Sequence, residues 1–270
     1  MLVYQYDGSL EGFYSCVFES VYQKETPEAI EPTGAAQCRL FPPKYIETDA
    51  AKADRVRKSI PAKISAEALD LCEVVFCSCL EEKELRLLQF LRRGYREGGR
   101  FLRAGFSDAQ LEPLLAARRH LMGEAHLLKG FIRFADYDGH LAATITPKNY
   151  ILPYITRHFI TRYRNENFMI YDKTNHVALI YENRVPRMVA AEHIEFPAVT
   201  EEEAQYRELW KHFYRTVAIK GRENPRCRMT HMPKRYWENM VEVRDELLPQ
   251  ASAAEAEYYQ QKQITNGNIC

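Results

Sequence analysis

Between Gln205 and Trp237 the sequence QYRELWKHFYRTVAIKGRENPRCRMTHMPKRYW sets bases among flat rings. Arg207, Lys211, Arg215, Lys220, Arg222, Arg226, Arg228, Lys234 and Arg235 face only Glu208 and Glu223, a net charge of +7. The whole chain carries 37 bases and 37 acids, so the remainder is −7. Both tryptophans, Trp210 and Trp237, lie here with Tyr206, Phe213 and Tyr214. Phosphate takes such charge and a nucleobase stacks on such rings, which points to a polyanion carrying aromatic bases. A plainer reading stands beside it. Trp210, Phe213, Tyr214 and Val217 recur at helical spacing, which predicts a helix that buries them and turns a solvated basic face outward.

A second group could move protons. Glu124 and His126 precede Lys129 and Arg133, with His120 upstream. Two residues apart on a helix, Glu124 and His126 point apart. At a helix end the chain can turn and bring them together as an acid–base pair. Arg157, His158, Arg162 and Arg164 form a cationic cluster, in which Arg157, Thr161 and Arg164 would share a helix face suited to phosphates. Asp136, Asp138 and Asp172 sit where hairpin turns are expected, and turn chemistry alone accounts for them. No nucleotide-binding glycine loop, zinc-protease motif or serine-nucleophile elbow occurs. The cysteine triplet of radical-SAM enzymes is absent too, so neither a cofactor nor a metal is expected.

The seven cysteines are Cys16, Cys38, Cys72, Cys77, Cys79, Cys227 and Cys270. Their odd number and spacing fit no disulfide framework, which predicts a reducing, cytoplasmic setting. Cys72, Cys77 and Cys79 lie in the apolar run LDLCEVVFCSCL and read as packing residues. No apolar run is long enough for a transmembrane helix, and the first residues, MLVYQYDGS, lack the pattern of a secretory signal.

The elements that must hold these groups follow from the pattern. Leu2–Tyr6 reads as a strand, Asp7-Gly8-Ser9 as a capped turn, and Leu10–Tyr22 as a helix burying Phe13, Val17 and Val21. Thr26–Thr33 reads as a connector; Cys38–Phe41 and Tyr45–Glu47 read as short extended pieces. Thr48 or Asp49 caps a helix that Pro61 stops, with Lys52, Arg55, Arg57 and Lys58 on a basic face. Ser65 caps Ala66–Cys77, and Glu81–Arg96 and a helix from Ser107-Asp108 to about His126 follow. At Gly130 the period changes to two. Two hairpins (FIRFA with HLAATIT, FMIYD with HVALIYE) flank a helix capped by Asn149 with Pro153 in its first turn, and VPRMVAA adds a fifth strand. Pro233 opens a last short helix.

The expected class is therefore α+β. An antiparallel sheet of four or five strands, about 130–191, is packed by a helical N-terminal half and by C-terminal helices. One domain spans 1–248, with a helical part at about 49–127 and a basic-aromatic part at about 200–242. The tail 249–270 reads as polar and disordered.

Several long motifs together resemble a bacterial family of uncharacterised proteins. They are YDGSLEGFYSCVFE at 6–19, TDAAKADRV at 48–56, EAHLLKGFIRF at 124–134, the Pro153–Phe159 segment, FMIYDKTNHVALIYE at 168–182 and LWKHFYRTVAIKGRENPRCRMTHMPKRYW at 209–237. That family is described as probable DNA-metabolism factors encoded beside a radical-SAM protein, with a related domain joined to uracil-DNA glycosylase elsewhere. The resemblance implies DNA and a partner rather than a reaction. It points to Asp7, Gly8, Asp49, His126, Gly130, Arg133, His158, Asn224, Pro225, Pro233, Lys234 and Trp237. Relatives often follow the histidine with a base, where this chain has His126-Leu127.

Three functions follow as expectations. The first is an accessory factor of DNA repair or modification that binds single-stranded or damaged DNA for a radical-SAM partner. Its contacts would be Arg133, Arg157, Arg162, Arg215, Arg222, Arg228, Lys234, Arg235 and Trp237. The second is a nucleic-acid-processing enzyme using His126 and Glu124, with His158. The third is a scaffold for the partner protein.

Overall fold

The computed structural model describes residues 2–34 and 42–247. The extended piece expected at 38–41, the tail 249–270, Cys38 and Cys270 lie outside the described residues. Contacts gather the chain into two compact units that interleave in sequence. One comprises Met1–Gly130 and Pro147–Thr161, the other Phe131–Thr146 and Arg162–Cys270.

The first unit opens with β1 (Val3–Tyr6), α1 (Leu10–Tyr22), β2 (Ala29–Pro32) and β3 (Lys44–Tyr45). These strands form a parallel sheet in the order β2-β1-β3. The residues read as a connector thus hold a strand, because α1 is the crossover that parallel pairing needs. Phe13 and Val17 are buried, but Val21 is 51% exposed. Ser9 caps α1 by accepting from the Gly12 amide, and Asp7 accepts from Ser9 and from the Thr48 hydroxyl. Asp49 caps α2 (Ala50–Lys63). Asp7, Gly8 and Asp49 therefore set how two helices start.

Helix α2 runs through Pro61 rather than stopping there. The proline sits in the last turn, where its missing amide costs one bond, and the Ile64 amide still reaches the Ile60 carbonyl. Ser65 caps α3 (Ala66–Phe76), and α4 (Lys83–Glu97) buries Leu87, Leu88, Phe90 and Leu91. A 3-10 segment, Gly98–Ser107, leads to α5 (Leu111–Phe131). Helix α5 does not end near His126, since Leu121, Ala125 and Leu128 stay buried at helical spacing. Cys16 and Cys72 are buried, and desolvation pushes both thiols up to about 12, so they pack as apolar groups.

The second unit carries the five-stranded sheet β4 (Ala135–Tyr137), β5 (His140–Ile145), β6 (Phe168–Asp172), β7 (Val177–Glu182) and β8 (Val185–Ala190), in that spatial order. The α+β class and the fifth strand agree with the sequence. The sheet, however, is mixed: three pairings are antiparallel across short turns, and β5–β6 is parallel. Between β5 and β6 the chain passes through α6 (Leu152–Arg162), a connection long enough to reverse direction twice. Asp138 and Gly139 take positive φ in the first hairpin turn, and Asp172 accepts three hydrogen bonds from Thr174 and Asn175. After the sheet come α7 (Glu201–Val217), α8 (Pro225–His231) and 3-10 turns at Lys220–Arg222, Lys234–Asn239 and Arg244–Leu247. No helix among the described residues is long and apolar enough to cross a membrane.

The Asp7 carboxyl predicts a pH response. Desolvation pulls it upward, but hydrogen bonds from Ser9 and Thr48 outweigh this and hold it below its ordinary value. Its stabilising effect is present above the unfolded value of about 3.9 and is lost as pH falls through the lower folded value. Thermal melts followed by circular dichroism from pH 7 to pH 2 should show Asp7→Asn less stable at neutral pH, with the two curves converging below about pH 4.

Candidate nucleic-acid interface

Helix α7 begins well. Thr200 accepts from the Glu203 amide, and Glu201, Glu202 and Glu203 fill the first turn, where the helix dipole favours carboxylates. Its two faces are then reversed relative to the expected burial. Glu203, Arg207, Lys211 and Tyr214 form the inward row. Tyr206, Leu209, Trp210, Phe213 and Val217 form the outward row, from 39% exposed at Trp210 to 69% at Tyr206. The buried face expected from Trp210, Phe213 and Val217 is thus corrected.

Partners for charge explain the reversal. Glu203 accepts from Arg207 Nε at 2.6 Å and from the Asp136 amide at 3.2 Å. Lys211 Nζ lies 3.0 Å from Glu208 and 3.1 Å from Asp245. Its hydrogen bond holds the Asp245 carboxyl below the ordinary range. With those pairs made along one face, the rings are left on another. Trp210 and Phe213 stack at 5.6 Å between centroids and 28° between planes. The Arg133 guanidinium lies 5.4 Å from the Trp210 ring.

The predicted contact residues divide into two groups. Arg133 grips Glu242, with Nη2 to Oε1 at 2.6 Å and Nε 3.2 Å from the same oxygen. Glu242 is buried, so this arginine neutralises an interior carboxylate. Arg228 donates to both oxygens of Glu246, at 3.1 and 2.5 Å. Trp237 is 2% exposed, donates Nε1 to the Met232 carbonyl at 2.9 Å, and carries Arg228 at 4.7 Å and Lys234 at 5.6 Å over its ring. As a buried ring it cannot stack on a base in this conformation. Asn224 caps α8, with Pro225 at its first turn. Arg215, Arg222, Arg226, Lys234 and Arg235 remain exposed, Arg235 lying against the Tyr236 ring.

Arg157 and Arg162 are exposed on α6. Arg164 lies beyond the helix end at Arg162, so it does not share a helical face with Arg157 and Thr161. His158 is exposed and meets Phe159 edge-on at 5.0 Å.

Glu124 and His126 do not form a pair. Because α5 continues to Phe131, both lie within the helix, Glu124 buried at 2% and His126 exposed. The buried carboxylate serves a different purpose. It accepts from the amides of Lys148 (3.1 Å) and Asn149 (2.9 Å) and from Asn149 Nδ2 (2.6 Å). Asn149 in turn accepts from the Cys79 amide at 3.0 Å, and its Nδ2 lies 3.0 Å from His120 Nδ1. Asn149 is therefore a buried crosslink rather than a helix cap. The amide donates to Glu124, so it also donates to His120 Nδ1, which occupies the lone pair that faces the Cys79 sulfur at 4.0 Å. Among the described residues no group of three His, Cys, Asp or Glu is placed to hold a metal ion.

Two pairs of variants test this division. Glu124→Ala leaves buried donors unsatisfied and should cost about 2–3 kcal/mol in urea unfolding, whereas His126→Ala should change stability by under about 0.5 kcal/mol. Trp237→Ala should cost about 3–5 kcal/mol, and Trp210→Ala far less, because its ring is already half in solvent.

No curated protein and no solved structure matches the chain. Residues 81–242, well over half of its length, match the family profile DUF4130, described as a domain of unknown function. That stretch runs from just before α4 through Glu242 and includes the Glu124–Asn149 crosslink and the exposed rings of α7. The chain belongs to the DUF4130 family.

Proposed function

We propose that the protein is a single-strand nucleic-acid-binding accessory factor, acting in DNA repair or modification, whose contact surface is the outer face of α7 with the bases that follow it. One observation carries this reading. A stacked Trp210–Phe213 pair stands exposed while Arg207 and Lys211 of the same helix are paired with Glu203 and Asp245. Exposed rings stack on bases without regard to sequence, and Arg215, Arg222, Arg226, Lys234 and Arg235 supply charge for phosphates. The resemblance of the motifs adds the DNA context and a radical-SAM partner. A second reading, a protein scaffold for that partner, is favoured by Leu209, Val217 and Ile219, exposed aliphatic side chains that suit packing more than base stacking.

Anisotropy of labelled single-stranded and duplex DNA, titrated at several salt concentrations, separates the two. The nucleic-acid reading predicts saturable binding that prefers the single strand. Arg215→Ala, Arg222→Ala and Lys234→Ala combined should reduce the salt slope by about 2, at roughly 0.7 per lost contact. An unchanged slope, or no binding at low salt, favours the scaffold.

A further inference from the structure

The first unit contains a groove that its fold leaves empty and its sequence leaves cationic. It lies between α1, α2 and α4, with a volume of about 870 Å³, enough for a small-molecule ligand. Lys24, Arg55, Lys63, Arg92 and Arg96 line it, and among the described residues no carboxylate does. Arg92 donates to the carbonyls of Ser20 and Glu25 and to the Thr26 hydroxyl, which fixes the guanidinium without neutralising it. Lys24, Arg55, Lys63 and Arg96 are exposed and pair with no carboxylate among the described residues. Some other bases of this unit lie in ion pairs, as Lys52 does with Glu19, Arg57 with Glu73 and Arg93 with Asp108.

The groove also presents rings. Phe18 and Tyr22, one turn apart on α1, stack at 5.5 Å and 14°, and Tyr22 is 72% exposed. Arg55 lies 5.6 Å from the Phe18 ring. Tyr95 shares a 2.7 Å hydrogen bond with Ser59, which fixes its ring in the wall, 6.0 Å from Lys63. Gln89 and Gln110 add amide donors and acceptors. A ligand complementary to this set has a phosphate for the bases, a flat heterocycle for the rings and polar edges for the amides. We propose that this groove binds a nucleotide. It is a site on the first unit, built from residues separate from those of α7, and it stands or falls independently of the reading given for that helix.

Two sources offer the same chemistry, a free nucleotide and a nucleotide of a strand. Calorimetric titrations of the full chain with deoxyadenosine monophosphate, with 5′-phosphorylated oligothymidylate and with inorganic phosphate distinguish them. Saturable binding of the mononucleotide, lost by about tenfold or more in Arg55→Ala/Lys63→Ala and by roughly tenfold in Tyr22→Ala, assigns a free nucleotide. Binding of the oligonucleotide alone, with the same losses, assigns a strand. These side chains are exposed, so circular dichroism should show the variants folded. Binding of inorganic phosphate as tight as that of the nucleotide, or affinities that the three substitutions leave unaltered, overturns the proposal.

Discussion

The second unit depends on where α7 puts its charges. Glu203, Arg207 and Lys211 point inward and find the Asp136 amide, each other and Asp245. An interior charge is tolerated only when paired, so these bonds fix how the helix is turned about its axis. Arg133 reinforces them by pairing with the buried Glu242 while its guanidinium lies over the Trp210 ring. Turning α7 to bury its rings would take Glu203, Arg207 and Lys211 away from these partners. The aromatic face is exposed because the charged face is the one that the surrounding groups can satisfy. That exposure supports the functional reading, since an aromatic surface in water is retained where something covers it.

Buried carboxylates organise both units, and their partners decide what each can do. Glu242 meets a guanidinium; Glu124 meets three backbone and side-chain N–H groups instead. Neither faces solvent with a histidine beside it. The acid–base chemistry suggested by Glu124 and His126 requires a turn that α5 does not make. Both of these interior carboxylates thus serve positioning.

Much of the fold was legible because local signals are strong. Ser9, Asp49 and Ser65 cap helices as their side chains predict, and the first hairpin turn carries Asp138 and Gly139 where positive φ is needed. What was hidden depended on pairings distant in sequence. The parallel β1–β2 and β5–β6 ladders need crossovers that no alternation reveals. The Asn149–Glu124 crosslink joins residues 25 positions apart, so Asn149 read as a cap. The orientation of α7 was missed for the same reason. Its apolar row has core spacing, and only the positions of Asp136 and Asp245 show that the other row faces inward. Of the predicted contacts, Arg215, Arg222, Lys234 and Arg235 are exposed as the reading requires, while Trp237, equally aromatic and equally basic in its surroundings, is core.

The central claim is that Trp210 is a solvent-facing ring which nucleic acid covers. Its most direct test is a single-tryptophan protein, Trp237→Phe, whose emission then reports Trp210 alone. Iodide quenching is measured with and without single-stranded oligothymidylate. The account predicts ready quenching of the free protein and marked protection when the strand is bound. A ring shielded from iodide in the free protein, or equally accessible with saturating strand present, would contradict it.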